Sequence, residues 1–321
     1  MTTTGRALFS PRGPGRTCAP SGGAGRRLHP GGRAGLAAVA WLTLVVLAGA
    51  AEAPRAFLWK AAGSNATVYM LGSLHIGKKD LYPLPPVVEK AFASADALVT
   101  EVPMDAENQA AAAMKMMAAA NPPLGKGLRD ILPPKVAARF DAYMKGSAMS
   151  AVPLERVRPW FAAIMITLVE AQKAGFDPAN GIETHFLARA DQRRRLALET
   201  IDQQVGLLSG MSEDMQVMFL DRTLQEAAKT GELIGGITAA WRRGDAEGLD
   251  KLLSEAIDET PEMKGLMKTM ITDRNVTMTE KIDGYLKTKG TYFVIVGAGH
   301  FVGKEGIVAL LRARGHKVEQ Q

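Results

Sequence analysis

Cysteine is nearly absent from the chain. Cys18 is its only one, so no internal disulfide can form and thiol chemistry is confined to the first twenty residues. Acidic residues are missing from the first fifty positions, which instead carry Arg6, Arg12, Arg16, Arg26, Arg27 and Arg33. No apolar run reaches the roughly twenty residues that span a bilayer. The nearest, Leu36 to Ala51, has sixteen and ends in Ala and Gly. A basic stretch, a short apolar core and the small residues Ala48-Gly49-Ala50 read as a secretory signal peptide over residues 1–50, cleaved after Ala50, with export to the periplasm or exterior. The alternative is an uncleaved N-terminal transmembrane anchor, the one route by which this chain would meet a membrane. Arg26-Arg27 is a weak twin-arginine signal, since Leu28-His29-Pro30 does not continue it.

Removing the leader removes the charge asymmetry as well. The excess of +6 equals the six arginines of residues 1–50, so the remainder is balanced. A neutral chain has no electrostatic basis for holding nucleic acid or an anionic surface. Residues 51–321 are then one domain long enough to rest on an apolar core.

Apolar patterning places this domain in the α/β class: a central mixed sheet flanked by helices, with large helical insertions. Phe57-Leu58-Trp59-Lys60 and Val68-Tyr69-Met70-Leu71 read as strands joined by the turn-forming Gly63-Ser64-Asn65. Val87 to Ser94 reads as a helix and Ala97 to Val102 as the next strand. Residues 105–189 are helical, broken at Asn121-Pro122-Pro123, Pro133-Pro134 and Asp177-Pro178. Arg195 to Glu199 returns to strand, and Gln203 to Lys287 is again mostly helical, with breaks at Gly210, Gly235-Gly236 and Pro261. Tyr292-Phe293-Val294-Ile295-Val296 is the clearest buried strand, followed by a helix over Lys304 to Arg314 and a last strand at Lys317 to Glu319. The methionine groups 114, 116, 117 and 211, 215, 218 fit core-facing helix positions.

Two short patterns repeat at the ends of strands: Gly72-Ser73-Leu74-His75 and Gly297-Ala298-Gly299-His300. Their glycines let the backbone turn sharply as it leaves the sheet, and the pair suggests a diverged duplication. Glu101 and Glu199 also fall at strand ends. In open α/β sheets the C-terminal strand edge is where ligands bind, so His75, Glu101, Glu199 and His300 can converge there. Two imidazoles and one or two carboxylates suit a divalent ion such as Zn, Mn or Co with positions left for water. A nucleotide loop at Gly297 to Gly303 is excluded, because about twenty residues remain after it and a dinucleotide unit needs more. Gly303-Lys304 is no phosphate loop either, since Glu305 stands where Ser or Thr belongs. His185 and His316 read as structural. Arg274-Asn275 could bring a cation and an amide to the same edge, or lie exposed on a helix.

The ordered series Val68 to His75, Val99-Thr100-Glu101, Arg158-Pro159-Trp160, Gly181-Ile182-Glu183, Leu198-Glu199-Thr200 with Gln203 and Gln204, Trp241 to Asp245, Arg274-Asn275 and Val296 to Gly303 resembles the TraB/GumN family, which includes the Tiki proteases. The resemblance spans residues 57 to 319. It implies an α/β fold shared with erythromycin-esterase-like and ChaN-like hydrolases, and a metal-dependent site in which His75, His300 and Glu101 match the metal and catalytic set. Arg274 and Asn275 match a family motif. The chain departs from the family at Ser73, where Thr is usual, and at Glu183, where Asp is common. The function expected is an exported, peptidase-like hydrolase acting on a peptide or small molecule. Glu199 would orient a ligand or carry a proton, and Arg274 would stabilise an oxyanion, with the two glutamates' roles exchangeable. The alternatives are a non-catalytic envelope protein that binds glycan or peptide in polysaccharide assembly, and a metal-free esterase-like enzyme using a histidine base.

Overall fold

The structure, a computed structural model, describes residues 55–147, 154–190, 192–256 and 260–321. The expected leader, its cleavage site and Cys18 lie outside the described residues. Among the described residues no helix is long and apolar enough to cross a membrane.

Six strands, β1 (Leu58–Ala62), β2 (Ala66–Ser73), β3 (Ala97–Thr100), β4 (Arg194–Ala197), β5 (Gly290–Gly297) and β6 (Val318–Gln320), form one sheet in the order β4-β3-β5-β2-β1-β6. β4, β3, β5 and β2 run parallel, and β1 is antiparallel to both its neighbours. The turn at Gly63 to Asn65 closes the β1–β2 hairpin, with Gly63 N–H donating to the Ala66 carbonyl at 2.9 Å. Parallel strands are buried on both faces, so β3 and the C-terminal part of β5 are buried at every position.

Both faces of β5 are covered. On one, Phe293 meets Phe186 and Phe92 at ring-centre distances of 5.0 and 5.4 Å, bringing helices Ile182–Leu187 and Pro86–Ala93 onto the sheet. On the other, Tyr292 stacks on Tyr285 of helix Asp273–Leu286 at 4.7 Å. A second core around Phe140, Trp160, Ile166 and Leu220 belongs to the helices inserted between β3 and β4 and after β4. The prolines behave as expected: Pro86, Pro134, Pro159 and Pro261 each open a helix, where a missing N–H does no harm.

Three expectations need correction. Gly235-Gly236 does not break its helix, which runs Thr230–Arg242. A Cβ on Gly236 would make ordinary contact with Leu252 at 3.6 Å and one on Gly235 would meet nothing, so the helix simply carries both glycines at the roughly 1 kcal/mol that each costs. The helix expected from Lys304 begins at Ile307, because Gly303 adopts φ +74° and turns the chain first. Met114 and Met117 are 74% and 55% exposed rather than core-facing, since helix Ala106–Ala120 buries only Ala120. Met211 is buried, and Met215 and Met218 pack on the second core as expected.

Phe293 is fully buried at the centre of the sheet. Phe293→Ala is expected to lower unfolding stability by about 3–5 kcal/mol, while Leu124→Ala, at a fully exposed position, moves it by less than about 0.5 kcal/mol. Urea unfolding of both variants checks this, and equal effects would contradict the assigned core.

Candidate active site

The four parallel strands end on one edge, and each delivers an ionisable residue within three positions of its end. Along that edge the order is Glu199 after β4, Glu101 after β3, His300 after β5 and His75 after β2. The connection leaving β3 runs outward toward β4 and the one leaving β5 runs the other way toward β6, so the strand order switches between Glu101 and His300. A crevice at such a switch is the usual ligand site of open α/β sheets. β2 and β5 pair with Ser73 opposite Gly297, which sets the two histidine loops side by side, their glycines one residue out of step.

The space left by the absent side chain of Gly297 is the focus of the site. A Cβ built there would lie 3.3 Å from His75 Nε2, 3.3 Å from Glu101 Oε1 and 3.6 Å from His300 Cδ2. Both rings are held from behind through Nδ1. His300 Nδ1–H donates to Asn275 Oδ1 at 2.6 Å, and Asn275 Nδ2 donates to the Glu305 carbonyl at 2.8 Å, which fixes the amide's orientation. His75 Nδ1–H donates to Glu183 Oε1 at 2.7 Å, and the same oxygen accepts from Ser73 Oγ at 2.5 Å. A ring that donates from Nδ1 keeps its Nε2 for a ligand or a proton. The two positions at which the chain departs from the family pattern, Ser73 and Glu183, therefore touch each other.

Glu101 and Glu199 are tied together by one cation. Arg274 donates from Nε to Glu199 Oε1 at 2.9 Å, from Nη2 to Glu199 Oε2 and to Glu101 Oε2 at 2.7 Å each, and from Nη1 to the Met270 carbonyl at 3.0 Å. Met270 lies in a π-helical turn, Lys268–Thr272, just ahead of Arg274. Gln204 Nε2 bridges the same carboxylates at 2.9 and 3.0 Å, while its neighbour Gln203 closes a capping box with Thr200 at the start of helix Ile201–Ser209. Gly297 N–H donates to Glu101 Oε1 at 2.7 Å.

These contacts set the charges. Burial resists ionisation of Glu101, but His75, His300 and Arg274 outweigh it and hold the carboxyl down at about 2. Burial, with Arg274 adding to it, pushes His300 from 6.5 down to about 4, leaving the ring neutral. Enclosure works against a proton on His75, yet the Glu183 carboxylate hydrogen-bonded to it, helped by Glu101, raises it to about 9. The His75 side chain keeps 66% of its surface open to water, so we assign its shift to the Glu183 contact.

Two imidazoles and one carboxylate bordering a common space match a divalent ion in donor chemistry, with His75 Nε2 and Glu101 Oε1 facing it and His300 presenting its Cδ2 edge. They are not drawn into a closed cage: among the described residues no group of three or more His, Cys, Asp or Glu stands at metal-holding spacing. Glu101 already serves Gly297, Gln204 and Arg274. A cavity of about 640 Å³ bordered by Trp59, Asp250, Phe301 and Gly303 lies beside the His300 loop but includes none of the four edge residues. His185 stacks on Tyr82 and His316 pairs with Asp283, both away from the crevice. Asn275-Val276-Thr277 has the form of a glycosylation sequon, but Asn275 is 1% exposed and its amide is taken up inside. Ser73, Glu183 and Gln204 join the site without having been singled out for it. Gln204 and Glu183 stood in the recognised series, but nothing local in the sequence says where their side chains reach.

A model of the TraB/PrgY/gumN family matches residues 57–320. The chain belongs to the TraB/PrgY/gumN family. Its relatives in that family are distant. YbaP of Escherichia coli (strain K12) is 23% identical over 77% of this chain and 89% of its own length. The zebrafish protein named metalloprotease TIKI1 is 22% identical over 82% of this chain and 62% of its own, and human metalloprotease TIKI1 is 22% identical over 61% and 49%. No solved structure matches the chain.

The titrations give this TraB/PrgY/gumN site a pH signature. Neutral His300 stabilises the fold above 6.5, and that contribution is lost as pH falls toward about 4; ionised Glu101 stabilises it above the usual carboxylate range and is lost toward about 2. Protonated His75 stabilises the fold below 6.5 and is lost as pH rises through about 9. In chelator-treated protein, stability to urea is expected to peak near pH 6.5. His300→Gln should flatten the decline between pH 6.5 and 4 while leaving the alkaline side unchanged. An acid limb identical in wild type and variant would contradict the assignment.

Proposed function

We propose that the chain is an exported metal-dependent hydrolase that cleaves peptide bonds. The observation that carries the reading is the meeting of His75 Nε2, Glu101 Oε1 and the His300 ring edge at the space before Gly297. The metalloprotease names of the zebrafish and human relatives support it.

His75, His300 and Glu101 would hold a divalent ion, Mn, Co or Zn. When bound, such an ion lowers the pKa of water toward neutrality and polarises a carbonyl. The protein's own groups do the rest. Asn275 and Glu183 accept from the Nδ1–H of His300 and His75, which leaves Nε2 of each ring as the atom for a ligand. Glu199, anchored by Arg274 and Gln204, orients the attacking water or carries its proton to the leaving amine. Arg274 bridges the two glutamates and has one N–H on Nη1 left for a developing oxyanion, as these contacts use four of its five donors. Asn275 acts through His300 rather than on substrate.

A metal-free reading, with neutral His300 as general base in an esterase-like reaction, draws on a different observation: Glu101 already accepts three hydrogen bonds, from Gly297, Gln204 and Arg274. One experiment separates the two. The chain from Ala51 onward is purified, its bound metal is measured, and peptide and ester hydrolysis are followed with and without Mn, Co or Zn and after chelation. The proposal expects chelator-sensitive peptide cleavage that falls at least about 100-fold in His75→Ala and His300→Ala, together with loss of bound metal. Chelator-insensitive ester turnover would favour the metal-free enzyme. No turnover on a broad panel would favour a glycan- or peptide-binding envelope protein.

A further inference from the structure

We propose that Glu183, locked by Ser73, is the positioning residue of His75. It fixes that ring with Nδ1–H turned back and Nε2 turned toward Gly297. The inference rests on the reading that His75 Nε2 is a working atom of the site.

The two histidines are held in different ways. His300 is 4% exposed and its ring is fixed by packing as well as by Asn275. His75 stands on a loop with 66% of its side-chain surface open, so packing does little to choose among its rotamers. The directional contact on its ring is the 2.7 Å bond to Glu183 Oε1. A carboxylate oxygen only accepts, so the ring nitrogen facing it must carry a proton, and when the ring gives up its second proton Nε2 is the nitrogen that becomes the site's donor atom.

Glu183 is built to hold still. It is 7% exposed, on the first turn of helix Ile182–Leu187, whose apolar residues Ile182 and Phe186 are fully buried. The start of that helix is fastened to the histidine loop itself. Ile182 N–H donates to the Leu74 carbonyl at 3.1 Å, Gly77 and Asp177 exchange backbone hydrogen bonds at 3.1 and 2.8 Å, and Tyr82 Oη donates to the Asn180 and Gly181 carbonyls at 3.0 and 3.1 Å. A Cβ on Gly181 would stand 2.4 Å from the His75 carbonyl oxygen, so the glycine is what allows this approach. Ser73, 2% exposed at the end of β2, then pins Oε1 from the sheet side. An isolated buried carboxylate is costly, and this one is matched on the same oxygen by two donors that arrive from the strand and the loop leading to His75. The result is a short rigid chain from sheet to ring: β2, Ser73 Oγ, Glu183 Oε1, His75 Nδ1.

The test reads the ring directly, in metal-free full-length mature protein. A solvent-open imidazole N–H exchanges too fast to observe unless it is held, so wild type is expected to show a protected His75 Nδ1 proton by NMR. Glu183→Ala should lose it, Ser73→Ala should weaken it, and Glu183→Gln, which keeps an acceptor oxygen, should retain it in part. Zinc affinity measured by calorimetry should fall about 10–100-fold in Glu183→Ala and less in Ser73→Ala. If Glu183→Ala fails to fold, Ser73→Ala and Glu183→Gln still decide. A His75 ring proton unchanged in Ser73→Ala and Glu183→Gln overturns the proposal. A ring proton that follows the predicted order in a protein that binds no zinc upholds the positioning and sinks the metal reading instead.

Discussion

Two carboxyl side chains, Glu101 and Glu199, meet at a buried strand edge, and Arg274 is the cation that bonds both. Its planar fork takes both oxygens of Glu199 and one of Glu101, three bonds that a lysine could not make in one geometry. Glu101 follows β3, Glu199 follows β4, and Arg274 lies in the first turn of helix Asp273–Leu286, which covers one face of β5, so one side chain joins three segments far apart in sequence. The arrangement keeps Glu101 charged and its Oε1 turned toward Gly297, in reach of the same space as the two rings. Removing one member of such a buried set leaves an unpaired charge, which in general costs about 3–5 kcal/mol. The chemistry and the stability of the crevice therefore hang on the same contact.

The sheet edge was legible in advance for a simple reason. Each of β2, β3 and β5 is an apolar run ended by Gly or a charged residue, and period and punctuation together mark where a strand stops. That places His75, Glu101, Glu199 and His300 on one edge once the strands are parallel. The helical insertions were legible through their prolines, which sit at first turns where the fixed φ suits helix entry. Gly235-Gly236 misled because a helical glycine costs only about 1 kcal/mol, which helix Thr230–Arg242 sustains without breaking. Met114 and Met117 misled for a related reason: helix Ala106–Ala120 is so rich in alanine that its apolar period does not say which side is buried.

The second layer of the site was not legible in that way. Glu183 and Ser73 meet across 110 residues and Gln204 reaches Glu101 across 103, and their side chains have no local pattern that foretells those targets. What distinguishes Ser73 and Glu183 is burial of a polar group, visible only in three dimensions. Asn275 shows the same logic. Written as a sequon it suggests a surface glycan, yet its amide is spent inside, between His300 and the Glu305 carbonyl. The two imidazoles end up with opposite surroundings, one enclosed and neutral, the other open and backed by a carboxylate. That asymmetry suits one ring to hold and the other to meet what enters from solvent.

The central claim is that the space before Gly297 holds a divalent ion between His75, His300 and Glu101. A crystal grown with zinc and recorded on either side of the zinc absorption edge tests it most directly. The account predicts an anomalous peak in front of Gly297, within ligand distance of both Nε2 atoms. A fully occupied zinc bound elsewhere on the protein, with no peak at this crevice, would contradict it.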